Sequence, residues 1–334
     1  MKITATECQY RRTMSYIGLT MIFFLVFFVV GNVLSGIVGD FMYINLPYDY
    51  AYVFEELLNS VIYLISFMVP VAFYFAISKN KTEIVSMKAD LTLSRETPLM
   101  IVAGIGTVYI FAYLNMFATS FLPNVTEEPS EMTLTLPMVI MLFISIGLVP
   151  AFCEEFLFRG LILRNLLPYS GRIAIIVSAV MFGLMHQNIY QIIYTTVAGI
   201  VMGYIYYKTG SLWCTVLMHF FNNSVSVVEL VIYGNVENAE FVNLMIDISL
   251  MVAGVLCFTV LTVRYVKNKK REIKRAEEGI VGTSFAPRLG YAERRLSRKE
   301  AVRSFFTPSV IVFTSIIALT YILQIVIAYL ELIG

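Results

Sequence analysis

Nine long apolar runs follow one another along this chain, at 14–37, 52–77, 98–121, 135–161, 172–187, 189–207, 211–233, 243–266 and 307–332. A lipid-spanning helix needs about 20 mostly apolar residues. Within hydrocarbon, backbone polar groups must be satisfied inside the segment, which leaves helices and closed barrels. Runs of this length predict an all-α, polytopic integral membrane protein with about 8–9 transmembrane helices. Only 14% of the residues are charged, against about a quarter in a soluble domain. The 172–187 run is short, and is expected to cross incompletely or to end inside the protein.

The connections between runs alternate in charge. Lys2, Arg11 and Arg12 precede the first run, whereas the 38–51 connection has Asp40 and Asp49 and no Lys or Arg. Lys79, Lys81, Lys88 and Arg95 follow the second run, and Glu127, Glu128 and Glu131 follow the third. Arg159, Arg164, Arg172 and Lys208 flank the next helices, Glu237 and Glu240 come after the 211–233 run, and twelve Lys or Arg occupy 267–303. Under a nine-span count every basic connection falls on one side. The positive-inside rule then puts the N-terminus in the cytoplasm and the C-terminus outside the cell membrane. That bias alone accounts for the basic 267–303 segment as a cytoplasmic linker, with no nucleic-acid partner needed. Asn124-Val125-Thr126 is a glycosylation sequon on the outer side. The first run lacks a small-x-small cleavage site and exceeds the length of a signal-peptide core, so it reads as a retained span.

Several function classes find no support. Cys8, Cys153, Cys214 and Cys257 form no CxxC pair, which argues against a disulfide framework or zinc finger. HExxH, a phosphate-binding Gly-rich loop and a Ser-centred nucleophile elbow are absent. No long internal repeat favours an inverted-repeat transporter.

Chemistry-bearing residues cluster in the middle of the chain. Glu154, Glu155 and Arg159 lie in an apolar run, where ionisable groups are costly and face a cavity or one another. Glu155 and Arg159 are four apart and share a helix face. Glu154 points about 100° away and has no local partner, so it can act as a general base or acid. A structural ion-pair cluster is the bland alternative. The chain has only two histidines. His186 shares a face with Phe182, and His219 shares one with Asn223. His219 and Asn223 suit the stabilisation of a developing oxyanion, or equally serve as polar glue between helices. Gly199-Ile200-Val201-Met202-Gly203 permits close helix contact, and Gly210-Ser211 reads as a helix stop followed by an N-cap.

Taken in order, Glu154-Glu155-x-x-x-Arg159, Phe182-x-x-x-His186 and His219-x-x-x-Asn223 resemble the pattern of the CAAX protease and bacteriocin-processing (Abi) family of intramembrane proteases. The resemblance covers roughly 136–233. It implies a peptide-bond hydrolase whose site lies inside the membrane. Glu154 would be the general base that activates water and His186 would orient that water. His219 and Asn223 would hold the oxyanion, and Glu155 and Arg159 would position the first helix. Zinc on Glu154, His186 and His219 is possible. A metal-free glutamate peptidase is favoured, because His219 and Asn223 look like a donor pair and no carboxylate is evident beside either histidine. By depth, Glu154 and His219 each fall about two turns from the cytoplasmic ends of their helices, and His186 falls farther in.

The expected organisation is N-terminal transmembrane helices over 1–134, a catalytic core over 135–233, and C-terminal transmembrane helices over 234–334 that include the basic segment. The expected activity is endopeptidase cleavage of a membrane-associated peptide or lipidated protein in a cavity opening toward the cytoplasm, with membrane lipid as the other partner and the oligomeric state left open. The alternatives are a non-catalytic membrane scaffold or bacteriocin-immunity protein, and a proton-coupled transporter.

Overall fold

The computed structural model describes residues 3–78, 96–122, 134–277 and 296–333, and every apolar run is helical in it. The helices are α1 (Ala5–Asn45), α2 (Tyr48–Ile77), α3 (Thr97–Thr119), α4 (Leu136–Leu166), α5 (Gly171–Met185), α6 (Ile192–Thr209), α7 (Leu212–Asn235), α8 (Ala239–Glu277), a short α9 (Arg298–Phe305) and α10 (Pro308–Ile333). No strand occurs among the described residues. The sequon, the Lys79–Arg95 and Glu127–Glu131 charges, and residues 278–295 of the basic segment lie outside the described residues.

Among the described residues, seven helices are long and apolar enough to cross a membrane, and the protein is a multi-pass membrane protein. The other two of the nine runs form α5 and α6. With 15 residues, α5 reaches about 22 Å, short of a hydrocarbon core of about 30 Å. α6 carries Tyr194, Tyr204, Tyr206, Tyr207 and Lys208 and is less apolar. The two pack on each other as a down-and-back pair. Counting or omitting both therefore leaves every later connection on the same side.

α1 and α2 form one hairpin, α3 packs along α8 and on α6, and α4 packs on α2, α5 and α7. Glycines set two of the crossings. A Cβ on Gly106 of α3 would lie 2.6 Å from the Cα of Gly254 on α8. One on Gly199 of α6 would lie 2.8 Å from the Cα of Ala179 on α5. The Gly199–Gly203 pair thus brings α6 against α5, as a small-residue interface in lipid requires. Gly210 ends α6 at φ 70°, its N–H donating to the Tyr206 carbonyl at 2.8 Å. Ser211 sits at the N-cap position of α7, but its side chain makes no cap bond. Its backbone N–H instead donates to Thr209 Oγ1 at 3.2 Å.

α4 is not a uniform α-helix. π-helical turns at Phe143–Leu148 and Phe156–Leu163 bracket the α-helical turns Val149–Glu155 that carry both carboxylates. Such turns occur often at functional sites.

Both ends of the described chain are tied in. Buried Glu7 accepts hydrogen bonds from Arg303 Nε at 2.7 Å and Ser304 Oγ at 2.9 Å. Ser309 Oγ donates to the Ser15 carbonyl at 2.8 Å. α9 begins in a capping box. There the Ser297 hydroxyl and N–H donate to Glu300 and hold its carboxyl below the usual carboxylate range. At the other end of the bundle, Gln324 of α10 secures the turn after α5. Its Nε2 donates to the Gln187 carbonyl at 2.6 Å and its Oε1 accepts from Ile189 N–H at 3.3 Å. Gln324→Leu would strand both backbone groups, at about 1–3 kcal/mol for each one left unpaired. The thermal unfolding midpoint of the variant in detergent is expected to fall by several degrees. An unchanged midpoint would show that the turn does not depend on this tie.

Candidate active site

The three motifs of the sequence meet at one cavity. Glu154 of α4, His186 at the end of α5, and His219 and Asn223 of α7 all line a space of about 380 Å³. His186, expected to fall deeper than Glu154 and His219, directly follows the end of α5 at Met185 and lines the same cavity.

Arg159 and Glu155 form the support beneath. Both are fully buried, and Arg159 Nη1 donates to Glu155 Oε1 at 2.6 Å. Arg159 Nη2 reaches the Gly199 carbonyl on α6 at 3.2 Å, and its guanidinium lies 4.6 Å from the centroid of the Phe182 ring on α5. One planar cation therefore fastens α4 to both members of the α5–α6 pair. This use of fork and face is particular to arginine.

Glu155 also holds His219, whose Nδ1 lies 3.1 Å from Glu155 Oε1. The expectation that neither histidine has a carboxylate beside it is corrected here. Glu155 is distant from His219 in sequence and arrives from another helix. With Nδ1 engaged, Nε2 is the ring nitrogen left for the cavity, and it lies 3.9 Å from Glu154 Oε2. His186 Nδ1 lies 2.8 Å from the Phe182 carbonyl. A carbonyl only accepts, so Nδ1 carries the proton there and Nε2 of the neutral ring is an acceptor. Asn223 Nδ2 donates to the Ile146 carbonyl, in the first π turn of α4, at 2.9 Å. An amide has two N–H bonds, so one donor remains. Phe182 packs edge-on to both imidazoles and fixes their planes.

Glu154 is 4% exposed. Its Oε1 accepts a hydrogen bond from the hydroxyl of Tyr63 on α2, and its Oε2 has no hydrogen-bond partner among the described residues. A buried carboxylate oxygen left unpaired beside an imidazole, facing a cavity, is placed to take a proton from a small polar molecule. Tyr63 is a functional candidate that the sequence reading did not find. Removing its hydroxyl loses one hydrogen bond to a charged group, worth about 1.5–3 kcal/mol. If that bond aligns the base, Tyr63→Phe is expected to lower kcat by about tenfold or more with little change in KM. Steady-state kinetics would show this, and an unchanged kcat would mean that Tyr63 merely packs.

The conditional zinc set Glu154, His186 and His219 does not fit as placed. Among the described residues, no three His, Cys, Asp or Glu side chains come together in a way that would hold a metal ion.

The cavity continues beyond the expected residues. Asn222, Ser226 and Glu229 join His219 and Asn223 along one face of α7, and Tyr109, Tyr113 and Asp247 face them from α3 and α8. Spacings of three and four from His219 to Glu229 form a polar stripe on one helix face. That stripe, and an aspartate inside an apolar run, were the available signals for these residues. The lining thus extends from His219 toward the Asn235 end of α7.

Fold and site together define a multi-pass, all-α membrane protein with a carboxylate and two imidazoles in a buried cavity. Residues 136–225 match the family model described as type II CAAX prenyl endopeptidase Rce1-like, the family that the three motifs resemble. No curated protein and no solved structure matches the chain. At the level of the family, the match supports a CAAX-type intramembrane protease. The matched residues include the whole of the three motifs and exclude α1–α3 and α8–α10.

Proposed function

We propose that this protein is an intramembrane endopeptidase that hydrolyses a peptide bond with water activated by Glu154. The observation that carries this reading is the convergence of Glu154, His186, His219 and Asn223, from three helices, on one cavity. Water accepted by His186 Nε2 and Glu154 Oε2 loses a proton to Glu154 as its oxygen attacks the peptide carbonyl carbon. The tetrahedral oxyanion is stabilised by the free N–H of Asn223 and by the Nε2–H of a His219 ring that enters the step carrying both protons, its Nδ1–H held by Glu155. Glu154 then returns its proton to the leaving nitrogen as the C–N bond breaks. Glu155, Arg159 and Tyr63 hold the reacting groups without touching substrate.

The substrate class that fits is a peptide or lipidated protein reaching the site from the membrane. The alternation of charge favours an N-terminus in the cytoplasm and a C-terminus outside. The test is purified protein in proteoliposomes against a peptide library in ¹⁸O-water, with and without a chelator. New carboxyl termini carrying ¹⁸O, in equal yield with chelator, are the expected result. An absence of cleaved product would overturn the peptidase reading. Loss of cleavage on chelation would overturn its metal-free form.

A further inference from the structure

The far end of the cavity carries a second pair of carboxyls that the proposed hydrolysis does not use. Glu229 of α7 and Asp247 of α8 both line it. Tyr113 donates its hydroxyl to Asp247 Oδ2 at 2.6 Å, and Tyr109 lines the same end of the cavity as Glu229 and Asp247. Glu229 Oε1 and Asp247 Oδ1 are buried and have no hydrogen-bond partner among the described residues. Among the described residues, no lysine or arginine lines the cavity. Two carboxyls side by side in a low-dielectric wall, with no basic side chain beside them among the described residues, attract a cation from outside. A separate observation marks the same cavity as one built to receive a molecule. Glu154, 4% exposed, presents at its other end a carboxylate oxygen that has no hydrogen-bond partner among the described residues.

From this juxtaposition, and resting on the peptidase reading above, we infer that Glu229 and Asp247 form a specificity subsite for a basic residue of the substrate peptide. The geometry also sets the distance from the scissile bond. His219 and Glu229 are ten residues apart on one helix, or about 15 Å along its axis. An extended peptide advances about 3.3 Å per residue. A lysine or arginine four or five residues from the cut bond therefore reaches the acidic pair when the bond lies at Glu154. The polar stripe between the two ends, Asn222 and Ser226 included, gives the intervening backbone hydrogen-bonding partners.

The experiment uses the intact protein in detergent and a set of otherwise identical peptides. One lysine is moved along each peptide, and the matched controls carry acetyl-lysine. Lysine four or five residues from the cut is expected to raise kcat/KM roughly 10- to 100-fold over its acetylated control, mostly through KM. In the Glu229→Gln, Asp247→Asn double variant that ratio should fall toward one. A flat position scan, or a preference that survives the double variant, would overturn the subsite. A flat scan is also what a site for protons or inorganic cations would give. Binding of the same peptides to Glu154→Gln, read by fluorescence anisotropy, separates this inference from the peptidase reading. Lysine-dependent binding that needs Glu229 and Asp247 supports the subsite even where no peptide is cut. Binding indifferent to lysine refutes it even where cleavage proceeds. Should the double variant fail to fold, Tyr113→Phe, which removes one donor to Asp247 and leaves both carboxyls in place, is read in the same two assays. A changed preference in that variant supports the subsite, and an unchanged one counts against it.

Discussion

Glu154→Gln should reduce peptide hydrolysis by about 10²–10⁴-fold, the range expected for losing a positioned general base. Glutamine keeps the shape of the side chain, and its amide oxygen can still accept the Tyr63 hydroxyl bond seen for Glu154. It cannot take a proton from water. The measurement is turnover of whichever peptide the library identifies, alongside the unfolding midpoint. Near-parental turnover by a folded variant would remove Glu154 from the chemistry and the proposed mechanism with it. A folded variant with turnover lost would separate catalysis from a purely structural role, because the hydrogen bond that anchors the residue is retained.

The second large effect is on stability. Arg159→Leu removes the guanidinium from a fully buried pair and leaves Glu155 with His219 alone among its observed partners. Breaking a buried pair from one side costs about 3–5 kcal/mol, because the remaining charge is desolvated without compensation. A large drop in thermal midpoint is therefore expected. Glu155→Gln added to Arg159→Leu should recover part of that loss, since the stranded charge is then gone. Arg159→Lys should rescue only partly. An ammonium keeps the charge but neither forks between Glu155 and the Gly199 carbonyl nor lies flat over Phe182. An Arg159→Leu protein that unfolds with the parent would mean that the pair does not hold α4 against α5 and α6.

How much of this was legible in the sequence depended on whether a relationship was local. The helices were legible because each run is long and apolar. The pairing of Glu155 with Arg159 was legible because four residues make one helical turn. Convergence of the three motifs was suggested only by a family resemblance, since nothing local brings α4, α5 and α7 together. Tyr63 was not legible: it comes from α2, 91 positions before Glu154, in a chain with 21 tyrosines. The contact of Glu155 with His219 was hidden for the same reason, and its presence removes one argument for leaving zinc aside. Asp247 and Glu229 are a different case. An aspartate within the 243–266 run and a polar stripe continuing past Asn223 were visible in the residues themselves. The reading stopped at the family's last motif.

The π turns of α4 have a consequence for how such a site is lost. Each turn bonds residue i to i+5 rather than i+4, so it holds one residue more than an α turn would. Removing a single residue near Ile146 would let the ladder close as ordinary α-helix with the flanking faces kept in register, whereas removing one from the α-helical turns Val149–Glu155 would swing the chain on one side of the deletion by about 100° relative to the other. Both carboxylates would then leave their partners. The segment would stay equally greasy and almost as long, so an inactivated descendant would look intact to any profile of hydrophobicity.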